Sequence, residues 1–275
     1  MRRRSSTWLA AVISGGLAFG GAALAQPAKK APPAKIDVKA AVAALSSADV
    51  TAAARAATEL GTSGDAAAHD GLLDALAMGL PPEVAVAAVA ALTAHPAPPD
   101  VGALVRYAGH HAPAVRGAAL GALALYPDPV AHGAVVAGLH DPVAVVRATA
   151  AAAAAKGRVR EALDSLFALL ALGEDPAGLA LAQLADPALT ARIADQLGKV
   201  PEAALARCLG AILRRADYGP DPARVEIVRA LAKIQDQAST KVLTDYVDAT
   251  PKNPPRASRD EAEKIVEARV GGGGK

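Results

Sequence analysis

Asp141-Pro142-Val143-Ala144-Val145-Val146-Arg147-Ala148-Thr149-Ala150, running on through Ala151 to Ala155, reads as a helix that carries its own start. Asp141 is placed to cap the first free amides, and Pro142 stands where a missing N–H costs nothing. The pattern returns 31 residues earlier as Pro113-Ala114-Val115-Arg116-Gly117-Ala118-Ala119-Leu120. It returns once more, 31 earlier again, as Pro82-Glu83-Val84-Ala85-Val86-Ala87-Ala88-Val89. A fixed period of this length marks stacked supersecondary units.

Composition agrees. Apolar residues make up 52% of the 275 and aromatic residues only 3%, so the apolar content is mostly Ala with Val and Leu. Ala is the best helix former and lets helices pack closely. No run alternates β-branched and aromatic residues with polar ones, as strands require. The expected class is all-α: an α-solenoid, or superhelix, of about six or seven antiparallel helix pairs.

Residues 1–25 read as an export signal peptide. Arg2, Arg3 and Arg4 form a basic start, Trp8 to Leu24 is apolar and uncharged, and Ala23-Leu24-Ala25 fits a cleavage site before Gln26. The alternative is an uncleaved anchor, against which Gly15, Gly16, Gly20 and Gly21 dilute the apolar run. Export to a bacterial periplasm or beyond is the expectation, with no stable membrane span after cleavage. Of 29 basic residues the signal holds three, which leaves 26 against 27 acidic. No net basic field then remains to draw nucleic acid. Cys208 is the only cysteine, so no intrachain disulfide can form.

Residues 26–35 are a Pro/Ala/Lys linker. The repeat array is expected over 36–250, a Pro-rich linker over 251–257, a polar terminal helix over 258–270 and a flexible tail over 271–275. Within the array a first helix ends over Val42 to Leu45. Ser47 can cap a second, which runs to Leu60 and stops at Gly61. Asp65 to Ala77 form a third, and Pro81-Pro82 open a fourth that ends near His95-Pro96. Gly71, Gly102 and Gly133 recur at one register, as do Leu73, Leu104, Val135 and Leu166, on helices of an outer type. Val84, Val115 and Val146 recur on helices of an inner type, with Ala88, Ala119 and Ala150. The glycine register suggests close backbone approach between neighbours, because a helical Gly otherwise costs about 1 kcal/mol against Ala. Asp-Pro pairs at 128–129, 141–142, 175–176, 186–187 and 221–222 each suit an N-cap followed by a first helical residue. After Leu172 the period blurs and the helices cannot be sorted into inner and outer. Ser258-Arg259-Asp260-Glu261 fits a capping box, and a polar terminal helix suits a lid on an open apolar end.

At these residues the chain resembles the HEAT-repeat superfamily, and most of all its short variety named after phycobilisome lyases. Asp141-Pro142, Val146-Arg147 and Ala150 match that pattern. Val115-Arg116, Ala119, Ala122 and Leu123 match it without the Asp-Pro, and Val228-Arg229-Ala230-Leu231-Ala232-Lys233-Ile234 resembles a boundary between repeats. The resemblance implies a solenoid that binds proteins, with an Asp–Arg ladder between repeats from which Ala85 departs. Lyase members attach or detach bilin chromophores, and no residue carries over from that activity.

No residue is singled out as catalytic, cofactor-binding or metal-ligating, and no cofactor is expected. Of His69, His95, His110, His111, His132 and His140, three fall at turns, at 110, 111 and 140. Histidines solvated in turns are preferred to a zinc site, which needs three or four converging ligands. Arg116 and Arg147, with Asp141 near, are read as ion pairs joining repeats rather than as an anion site. Cys208, mid-helix, is read as a packing residue. Nucleic acid is not an expected partner, for want of a basic stripe with aromatics.

Residues 26–155 hold 8 basic and 10 acidic groups, and residues 156–275 hold 18 and 17. The front half therefore offers either tight Ala packing or an apolar surface for a partner segment. A charge at Ala88 or Ala119 is expected to abolish binding to that surface. The resulting expectation is a non-catalytic, exported scaffold for an unidentified protein. The alternatives are a lyase-type accessory protein or enzyme handling a chromophore-like ligand, and a structural envelope component.

Overall fold

The computed structural model describes residues 36–271. The expected signal peptide and first linker, and residues 272–275 of the tail, lie outside them. Among the described residues there are fifteen α-helices and no strand. The helices form two rows that alternate along the chain. One row is α2 (Val50–Ser63), α4 (Pro82–Leu92), α6 (Pro113–Leu123), α8 (Ala144–Lys156), α10 (Asp175–Leu184), α12 (Glu202–Leu213) and α14 (Gln237–Ala249). The other is α1 (Val38–Ala44), α3 (Ala66–Met78), α5 (Asp100–Ala108), α7 (Pro129–Gly138), α9 (Leu163–Ala171), α11 (Pro187–Ala194), α13 (Asp221–Ala232) and α15 (Ala257–Gly271). Each even-numbered helix packs on the even helices before and after it, and each pair is closed by an odd-numbered neighbour. This is the expected α-solenoid. No described helix is long and apolar enough to cross a membrane.

The 31-residue register runs the length of the even row. Ala53, Val84, Val115, Val146, Ala177, Cys208 and Ser239 are all buried. So are Ala57, Ala88, Ala119, Ala150, Leu181, Ile212 and Leu243, one helical turn further on. The period therefore does not blur after Leu172 in this row. It was hidden because the residue types change while the buried position stays. In the odd row it does slip: Leu197, next after Leu166, falls beyond the end of α11. A short 3-10 turn, Arg160–Ala162, precedes α9.

Several starts and stops differ from expectation. Asp49, not Ser47, caps α2, its carboxylate accepting from Thr51 N and Ala52 N. The helix passes through Gly61 and stops at Gly64, which takes φ +64°. Gly61 is no breaker. A Cβ there would lie 2.7 Å from Ala91 Cβ and 2.8 Å from Ala91 Cα, so the bare backbone lets α4 come close. By contrast Gly102 and Gly133 are exposed and have nothing within 4 Å of such a Cβ. Of that register only Gly71 is a close approach, against Val42.

Asp128 and Asp186 cap α7 and α11 as their Asp-Pro pairs predict. Asp141 does not cap α8, which begins at Ala144. Its carboxylate takes two bonds from Arg116, a stronger partner than a neutral amide, and one from Val143 N, which precedes the helix. Asp175 and Asp221 are first helical residues, and their carboxylates reach Arg207 and Ser258. Ser258 lies inside α15, where its hydroxyl meets Asp221 and Tyr246 rather than closing a capping box. Residues 250–256 join α14 to α15, which takes in Ala257 from the expected linker, and α15 packs on both α13 and α14.

Arginines finish many helices by donating to the last carbonyls, which have no partner within their own helix. Arg106 reaches Leu76 O, Arg215 reaches Ala182 O and Ala185 O, and Arg269 reaches Ala232 O and Ile234 O. Arg224, itself buried, reaches Leu213 O and Tyr218 O.

Candidate functional site: an uncharged face on the even row

An even helix buries one side against the odd row and its flanks against even neighbours. What remains free recurs at 31. On α4 it is Glu83, Val86 and Ala90; on α6, Ala114, Gly117 and Gly121. On α8 it is Val145, Ala148 and Ala152; on α10, Pro176, Leu179 and Gln183. All twelve are exposed or half-buried, and Glu83 is the one charged residue among them. Val145 is 65% exposed and Leu179 51%. Four helices at ordinary packing distance make a face roughly 30 Å wide.

Charge returns on both sides of it. α2 presents an Arg55–Glu59 pair at the same register. α12 presents Arg207, with Arg214 at its C-cap, and α14 presents Lys241 paired with Asp245. The apolar tract is thus bounded along the row, and its centre is built of side chains too small to stand above the backbone.

Ala88 and Ala119, expected on this surface, are not part of it. Both are 0% exposed. A charge at either would sit unpaired in the core and unfold the chain rather than block a partner. One helical turn carries both the buried and the free stripe, and Ala serves equally in each, so residue type alone could not separate them.

The ladder beside the face is structural, as expected. Arg116 donates from Nε and Nη2 to the two Asp141 oxygens at 2.7 and 2.9 Å. Its Nη1 takes the carbonyls of His110 and His111, both at 3.0 Å. These hydrogen bonds from Arg116 hold the Asp141 carboxyl below the usual carboxylate range. Arg147 repeats the arrangement, with Glu174 as its carboxylate and Asp141 O as its carbonyl. Every donor nitrogen of both guanidinia is engaged, which leaves no anion site there.

The histidines divide. His110 stacks on Tyr107 and its Nδ1 accepts from Ala112 N, and His140 Nε2 is 3.0 Å from Ser165 Oγ. His69 is no turn residue. It sits in α3 with Nε2 2.6 Å from Asp100 Oδ1, and Asp100 is fully buried. Tyr126 OH donates to the other Asp100 oxygen at 2.6 Å, and Ala97 N donates to it at 2.8 Å. Burial, and then the bond to Asp100, pushes the Tyr126 hydroxyl well above its ordinary value. This network ties α3, α5 and the end of α6 together. The 31-residue step from His69 to Asp100 was its only trace in the sequence. Among the described residues no three His, Cys, Asp or Glu side chains gather as metal ligands. Cys208 is buried at the register of Val84 and Val146, and burial pushes its thiol up to about 12. It is a thiol at neutral pH, without the thiolate that nucleophilic attack needs.

Residues 69–155 match a family model described as HEAT repeats. Over those residues the chain carries HEAT repeats. A comparison with curated proteins finds no match. Among solved structures, this chain is similar to the complex of CpcE and CpcF of phycocyanin lyase from Nostoc, at 18% identity and a TM-score of 0.47. That likeness covers 89% of this chain and 98% of the other. Kap121p is similar at 17% identity and a TM-score of 0.48, over 83% of this chain and 28% of Kap121p. Human deoxyhypusine hydroxylase is similar at 18% identity and a TM-score of 0.40, over 85% and 96%. Likenesses at this level lend this chain no activity and no partner.

Proposed function

We propose that this HEAT array is a non-catalytic scaffold that holds another protein on the uncharged face of α4, α6, α8 and α10, and that it works after export from the cytoplasm. The observation that carries the reading is the face itself. It is four helices wide and accessible, its twelve recurring positions carry one charge, Glu83, with Lys156 and Asp175 at its margin, and charged helices bound it on either side. Contiguous apolar surface of this kind marks sites where protein partners seat. Small side chains at its centre leave room for an apolar helix or an extended segment to lie across the row. Support for export comes from residues 1–25: three arginines, an apolar run and a small-residue cleavage site.

The test is affinity capture of the chain from its native cells outside the cytoplasm, with the amino terminus read by mass spectrometry. The expected product begins at Gln26 and brings down one protein in stoichiometric amount. Leu179→Asp and Ala148→Glu, both at accessible positions, should lose that protein while retaining the helical circular-dichroism spectrum. Capture unaffected by either substitution would remove the face from the proposal, and a chain retained in the cytoplasm would remove export.

A further inference from the structure

The turns that follow α8, α10 and α12 open a cleft of about 740 Å³, lined by Lys156, Arg158, Arg160, Asp186, Arg215 and Asp217 among others. That volume lies in the range of ordinary ligand sites. Gln183 belongs to its wall and also to the free face of α10, so cleft and face are continuous.

Two of the four cations are already committed. Arg160 Nη2 donates to Asp186 at 2.9 Å. Arg215 holds Asp217 through two bonds of 3.1 and 2.8 Å, and its remaining nitrogen takes Ala182 O and Ala185 O. Arg215 foremost, with a smaller contribution from Arg158, keeps the Asp217 carboxyl below its usual range. Lys156 and Arg158 form no ion pair among the described residues, and both are exposed.

Arg158 is held in an unusual way. The end of α8 is a Schellman turn, with Arg158 N donating to Ala155 O and Val159 N to Ala154 O. The residue between must be left-handed, and Arg158 has φ +53°. It is the one non-glycine residue with positive φ among the described residues. α9 ends in the same turn, where Gly173 N donates to Leu170 O and Glu174 N to Leu169 O, and there the left-handed position is glycine. A Cβ makes this conformation unfavourable. Arg158 takes up that cost and forms no ion pair among the described residues, so no folding contact of its charged group accounts for an arginine there.

The backbone narrows the choice of anion. A compact phosphate is recognised by a nest of free amides or by a helix start. Here the amides of Gly157, Arg158 and Val159 are spent on carbonyls of α8. The start of α11 carries Pro187, and its Leu189 amide is occupied by Asp186. Asp186 and Asp217 also oppose a concentrated double charge. Separate carboxylates, each meeting one long cationic side chain, fit the lining better.

We propose that this cleft binds an acidic peptide segment, supplied by the protein seated on the neighbouring face, with Lys156 and Arg158 taking its carboxylates. The source of the segment rests on the scaffold reading; the chemistry of the cleft does not. A labelled hexaglutamate peptide titrated into the full chain tests it. Binding is expected, weakening as salt is raised to about 0.5 M because exposed charges are screened. Lys156→Gln with Arg158→Gly should weaken it about tenfold, or about 1.4 kcal/mol. That pair should not lower the thermal midpoint, because glycine suits the left-handed turn. Lys39→Gln with Lys264→Gln removes the same charge elsewhere and should change nothing. Leu179→Asp, which tests the scaffold, should also leave hexaglutamate binding intact, so the two readings fail separately. Absence of binding, or equal binding by the Lys156/Arg158 variant, would overturn the proposal. So would pyrophosphate that displaces the peptide at a lower concentration than hexaglutamate itself needs.

Discussion

At the scale of single residues the Arg116–Asp141 pair carries the clearest consequence. Both side chains are mostly buried, at 13% and 9% exposure. Asp141 serves two elements at once, accepting from Arg116 of one repeat and from Val143 N of the next. Its carboxyl is depressed in the folded chain, so the unfolded chain binds the proton more readily. The stabilisation is complete above the ordinary carboxylate value of about 3.9 and is lost as pH falls through the folded value. Asp141→Asn is therefore expected to cost about 2 kcal/mol at neutral pH. The gap to the wild type should stay constant above about pH 5 and narrow as pH falls below about 4. Urea midpoints of the two chains across that range check it, and a gap that does not narrow would mean the carboxylate charge is not what matters. The residue types of this pair were legible in the sequence. That they form an ion pair between repeats was legible too; which of Arg116 and Arg147 takes Asp141 was not, because both guanidinia stand at the same register and only the stacking of the helices brings Arg116 to it.

At the scale of the element, glycines that look alike in sequence act in opposite senses. Gly133 lies mid-helix in α7 with open space beside it, so Gly133→Ala should stabilise by about 1 kcal/mol through helix propensity. Gly61 lies in the last turn of α2 against the Ala91 backbone, so Gly61→Ala should destabilise by about 1–3 kcal/mol by forcing α2 and α4 apart. Thermal midpoints should move in opposite directions, and movement in the same direction would contradict the helix spacing described for the even row. The recurrence of Gly71, Gly102 and Gly133 was visible as a pattern. Its cause was not, because a helical glycine reads the same whether it faces solvent or another backbone.

At the scale of the molecule, a stack whose helices touch only near neighbours should lose stability locally. α15 closes one end of it. It supplies Arg269 to the last carbonyls of α13 and Ser258 to Asp221, and it covers the apolar ends of α13 and α14. A chain truncated after Thr250 is expected to show faster amide exchange in α13 and α14 and unchanged exchange in α4 to α8. Faster exchange throughout would indicate one cooperative block instead. The polar character of α15 was plain from Arg259 to Arg269. Its fit against two helices depends on Ala262, Ile265 and Val266, a short stripe that composition conceals.

The sequence by itself determined the helices, their 31-residue period and the fact that each pair must be covered by the next. These follow from local propensity, from turn chemistry at Asp, Pro and Gly, and from a stripe that repeats within one turn. Only the tertiary structure decided which stripe of each Ala-rich helix faces solvent, which glycines meet a backbone, and that Arg158, without an ion pair among the described residues, takes a left-handed position beside a cleft. Those outcomes depend on contacts some 25 to 38 residues apart. Such contacts are set by the angle at which rigid helices stack, and an alanine carries no mark of the side on which its neighbour will lie.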